Sequence, residues 1–77
     1  MPPDLHIKIM KKDENGIVQK GLKQIFESFS GDTPVYLHLI DSGKMIKVER
    51  GFWVDGKNAG VYQALDDLLG ENWYLKG

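Results

Sequence analysis

The chain reads as an α+β protein, a two-layer sandwich with two helices on one face of a mainly antiparallel sheet. Three observations lead there. Apolar residues recur with period two over Leu5–Ile9 and Val35–Leu39. They recur at spacings of three and four from Ile17 to Phe29 and from Val61 to Leu69. Turn-forming residues stand wherever the period changes.

Leu5, Ile7 and Ile9 alternate with His6, Lys8 and Met10, the pattern of a strand buried on one face. After Asp13-Glu14-Asn15-Gly16, the stripe Ile17, Val18, Leu22, Ile25, Phe26 and Phe29 predicts the first helix. Gly31 is expected to close that helix in the left-handed conformation, and Pro34 cannot continue it. Residues 35–40 and 45–49 then flank Asp41-Ser42-Gly43-Lys44. A two-residue Ser42-Gly43 loop predicts Leu39 opposite Ile46 and Leu37 opposite Val48. That pairing gathers all four on one face, with Tyr36, His38, Ile40, Met45, Lys47 and Glu49 on the other. Phe52 and Val54 continue the inward parity, so the third strand is expected to break or bulge at Gly51. Asn58 is a plausible N-cap for a second helix carrying Val61, Tyr62, Leu65, Leu68 and Leu69, which Gly70 ends. Trp73-Tyr74-Leu75 reads as a short last strand. Both halves run strand, helix, Gly, acidic residue, strand. The order is βαββαβ, the split-βαβ or ferredoxin-like arrangement, in a single domain over residues 1–77 with a loose start at 1–4 and a core over 5–76.

Composition bounds the function. With 77 residues the chain is one domain near the lower limit for a core without disulfide or metal. Ten Lys and Arg against eleven Asp and Glu leave a formal charge of -1, without the basic surface that phosphate-backbone binding needs. The absence of Cys removes thiolate metal sites and suits a cytoplasmic protein. No apolar run is long enough for a membrane span.

The stretch Gly51-Phe52-Trp53-Val54-Asp55-Gly56-Lys57-Asn58 matches a phosphate-binding loop except at its last residue, where Asn replaces the magnesium-binding hydroxyl. Its bulky, strand-forming interior favours a strand end and turn. Arg50-Gly51-Phe52-Trp53-Val54 also resembles the RNA-reading strand of RRM domains, but the first strand carries no Phe or Tyr to stack a second base. Direct nucleic-acid contact through Trp53, Tyr36 and Lys47 is therefore the alternative reading. His6 and His38 lack a third metal ligand and read as surface residues, on strands that need not be neighbours. Asp66-Asp67 reads as a solvated helix edge, and no Ser stands in a nucleophile motif. The chain thus offers no catalytic residue and no metal, cofactor or small-molecule site. What stands out is the open sheet face, whose Trp53, Tyr36, His38, Ile40 and Met45, with Met10, are more apolar than a solvated face requires and are the candidate partner-binding residues.

Leu5-His6-Ile7-Lys8-Ile9, Gly31-Asp32-Thr33-Pro34-Val35-Tyr36-Leu37-His38-Leu39, Trp53-Val54 and Leu65-Asp66-Asp67-Leu68-Leu69-Gly70 together resemble the extreme C-terminal segment of the bacterial replicative DNA polymerase III alpha subunit. The resemblance runs over residues 5–76, and its most specific part is the string from Gly31 to Leu39. In that family the polymerase active site lies upstream, so the resemblance implies an accessory module without chemistry of its own. It also implies DNA replication as the setting and protein contacts within the replisome, with the clamp-loader tau subunit or with neighbouring domains.

Overall fold

The computed structural model describes residues 4–75. Residues 1–3 of the expected loose start, and residue 76 at the end of the expected core, lie outside the described residues. The α+β class holds: two helices pack on one face of a three-stranded mixed sheet, with one further short strand beside it.

Strand β1, Leu5–Ile9, buries Leu5, Ile7 and Ile9 as its alternation demands. A 3-10 turn at Lys11–Asp13 leads to Asn15, whose side chain accepts a hydrogen bond from the Val18 amide and caps helix α1, Gly16–Ser28. α1 buries Val18, Leu22 and Phe26, with Ile25 and Phe29 packed against the core. Ile17, in the first turn of α1, departs from the predicted stripe and is 83% exposed.

Gly31 does not close the helix. Phe29 is the C-cap, and the chain passes directly into β2, Ser30–Thr33. β2 pairs with the segment around Val54, with Gly31 N–H donating to Trp53 O at 3.0 Å and Asp55 N–H donating to Phe29 O at 2.7 Å. A Cβ on Gly31 would stand 2.6 Å from the Asp55 backbone, so close chain approach, not a left-handed turn, is what requires glycine there. Gly70, at φ 83 and ψ 172, does end the second helix in a conformation open only to glycine.

β3, Val35–Leu39, lies parallel to β1 and directly beside it, and β4, Lys44–Lys47, pairs antiparallel with β3 on the outside. The predicted βαββαβ order is thus present, but no strand is interposed between β1 and β3, and the sheet is mixed rather than mainly antiparallel. β3 takes the central place because Val35, Leu37 and Leu39 are all apolar on the inner face. β4 has Lys44 there, and a lysine-flanked strand belongs at an edge.

The hairpin register differs from expectation by two residues: Leu37 faces Ile46 and Leu39 faces Lys44. The loop is four residues long, with Gly43 at φ 72 and its N–H donating to Leu39 O at 2.9 Å. A two-residue loop of the primed type would have needed Ser42 at positive φ, and only glycines adopt it among the described residues. A shift of two leaves every side chain on its predicted face.

β4, the third strand of the predicted order, ends at Lys47, and a 3-10 turn at Arg50–Phe52 contains Gly51. The expected break is present without a bulge. Val54 is fully buried and Phe52 packs half-buried against the core, matching their predicted parity. Helix α2, Ala59–Leu69, is capped by Asn58, whose side chain accepts from the Gly60 amide at 2.8 Å, and buries Val61 and Leu65. The last strand is reduced to one bridge, Tyr74 to Ile7, after a 3-10 turn at Glu71–Trp73. Trp73 is buried and its indole N–H donates to Asp66 at 2.6 Å, so Asp66 anchors the chain end instead of lying on a solvated helix edge.

Candidate functional site

The helix-free face of the sheet follows from the register. Across the three strands, His6, Tyr36 and Lys47 form one row, and Lys8, His38 and Met45 form the next. Direct cross-strand neighbours stand close enough for their side chains to touch. The His6 and Tyr36 rings stack with centroids 4.9 Å apart and planes within 9°. On the opposite side of Tyr36, the Lys47 ammonium lies 5.7 Å from the ring centroid.

The turn at Arg50–Phe52 brings the chain back so that Trp53 extends the same row. Its indole N–H donates to Val48 O at 2.9 Å, which holds the ring in place. Lys47 sits 5.4 Å from the Trp53 centroid and the Arg50 guanidinium 5.7 Å from it. His6 and Tyr36 thus begin a continuous series of contacts in which Lys47 lies between the Tyr36 and Trp53 rings and Arg50 follows Trp53. Each cation–π contact at such a half-exposed position contributes about 0.5–1 kcal/mol.

His38 lies diagonally from His6, with His6 Nδ1 and His38 Nε2 2.7 Å apart, one ring donating to the other. Partial burial, and then the neighbouring imidazole, hold the His38 pKa below the usual histidine value. The two histidines are partners, contrary to their reading as independent surface residues, because β1 and β3 are adjacent. Among the described residues no group of three or more His, Asp or Glu is placed to hold a metal ion.

The five candidate residues share this face to different degrees. Tyr36, His38 and Trp53 are half-buried members of the ring cluster. Met45 is 58% exposed beside His38, and Ile40 stands exposed just past the end of β3. His6 and Arg50 belong to the cluster as well. Parity placed His6 on this face, but its contacts depend on strand order. Arg50, two residues after Val48, would point inward if the strand continued, but β4 ends at Lys47 and Arg50 packs on Trp53 instead.

The loop resembling a phosphate binder is occupied by its own chain. Gly56 N–H donates to the Thr33 hydroxyl at 3.1 Å, Lys57 N–H to the Asp55 carboxylate at 3.1 Å and Asn58 N–H to Asp55 O at 3.0 Å. A phosphate cradle needs such amides free and convergent. The Tyr62 hydroxyl also donates to Gly56 O at 2.8 Å, tying the loop to α2.

No helix among the described residues is long and apolar enough to cross a membrane. Comparison of the chain with protein-family models, with curated proteins and with solved structures gives no match in any of the three.

Proposed function

We propose that this chain is a non-catalytic accessory module of the DNA polymerase III alpha-subunit type, acting in the cytoplasmic replisome through protein contacts made by its open sheet face. One observation carries the choice of surface and of partner class. The rings of Tyr36 and Trp53 are already flanked by His6, Lys47 and Arg50. A base needs a free ring face to stack on, whereas a protein surface can use ring edges, imidazole nitrogens and cation heads held in a fixed array. Such pre-ordering lowers the entropic cost of association.

Titration with the clamp-loader tau subunit tests the reading. Binding that weakens by about tenfold or more in Trp53→Ala and Tyr36→Ala is expected, as for anchors at the centre of an interface. Absence of binding at high micromolar tau would remove that partner. Lys8, Lys47 and Arg50 on the same face motivate the nucleic-acid alternative. A single-stranded oligonucleotide is expected to leave Trp fluorescence unchanged at low salt; salt-dependent quenching would favour the alternative instead.

A further inference from the structure

The two helices do not cover the whole inner face of the sheet. Ile46 points by register to the helix side together with Leu37, yet it is 45% exposed. Between α1 and β4 this leaves an apolar groove of about 700 Å³, with Leu22, Phe26, Leu37, Ile46, Val48 and Phe52 along it.

Beside the groove runs the outer edge of β4, which pairs with no strand among the described residues. Val48 N–H donates to Val35 O at 2.9 Å, and in an antiparallel ladder alternate residues turn their peptide groups to opposite sides. Those of Lys44, Ile46 and Val48 therefore face β3, while those of Met45 and Lys47 face away from the sheet. A chain pairing with them would place every second side chain over the groove.

Charge selects the occupant. Lys20 and Lys23 line the groove from α1, against the single acid Glu49, while the Lys47 ammonium lies on the other face of the sheet. We propose that the α1–β4 groove receives an extended acidic–apolar segment of a partner protein, added as a strand to the β4 edge. This surface is separate from the stacked rings of the open face.

The probe is a capped synthetic octapeptide alternating Glu and Val, titrated into isotopically labelled protein at low salt and followed by amide NMR. Amides of residues 44–48 and 20–26 are expected to shift. Binding should fall by about tenfold in Met45→Pro, which removes an outward N–H at an edge position that tolerates proline. It should fall similarly in a Lys20→Glu, Lys23→Glu double variant, which leaves the strand intact. An alternating Lys and Val octapeptide should not bind. Three results would overturn the proposal: no shifts at millimolar peptide, unaltered binding in both variants, or shifts confined to the open face. Concentration-dependent dimerisation that shifts the same amides would assign the groove to a second copy instead.

Discussion

His38 is the residue whose ionisation reports on the open face. Its ring is partly shielded between β1 and β3, and a second imidazole lies 2.7 Å away, so the folded protein favours its neutral form. The unfolded chain then binds the proton first as pH drops through about 6.5. The resulting stability is complete above that pH and is lost as pH falls toward the lower folded pKa. The melting temperature is expected to decline with acidification in this window, and His38→Gln should flatten the decline. An equal slope in the variant would assign it to carboxylates. Parity alone placed His38 and Tyr36 on one face, since period two is a local property of the chain. The contact with His6 was not legible, because it requires knowing that β1 and β3 are neighbours.

At the scale of elements, helix starts were readable and strand partners were not. Asn58 caps as its residue type predicts, because a cap involves only the next few amides, and Asn15, read from the sequence only as part of a turn, caps α1 in the same way. Gly31 and Gly70 looked equivalent in sequence, yet one lies in a strand pair and the other ends a helix. Their difference arises from Val54 and Asp55, more than twenty residues from Gly31. Gly31→Ala is expected to cost about 1–3 kcal/mol, since the added carbon meets backbone that cannot move aside. Gly51→Ala, with open space at that position, should change stability by less than about 0.5 kcal/mol. Urea denaturation of the two variants makes the comparison; similar losses would contradict the packing account. Asp66 belongs to this scale too. Its role is invisible beside Asp67 in sequence and becomes clear only when Trp73 is brought back against α2.

For the whole molecule, one small core carries the fold. Leu5, Ile7, Ile9, Val35, Val54, Val61, Leu65 and Trp73 meet Val18, Leu22 and Phe26 in a single cluster. A domain of this size is only marginally stable, so one core truncation removes a large share of its folding free energy. Leu65 is fully buried, and Leu65→Ala is expected to cost about 2–5 kcal/mol. Circular dichroism should show a markedly lower melting temperature, and a shift of only a degree or two would mean that the core is less cooperative than its packing implies. Every one of these core residues was on the apolar side of a period read from the sequence or, for Trp73, within the last predicted strand.

The sequence by itself determined the α+β class, the two helices, the N-cap of α2, the break before it and the face on which each strand residue lies. All of these follow from periodicity and short-range hydrogen bonding, which reach only a few residues along the chain. Tertiary structure alone decided that β3 is central and β4 the edge, that the hairpin loop has four residues, and that Val54 pairs with β2. Those choices compare pairings between distant segments, and the deciding terms are where Lys44 can remain solvated and which backbone can approach Gly31. The stacked open face and the uncovered α1–β4 groove both follow from that strand order.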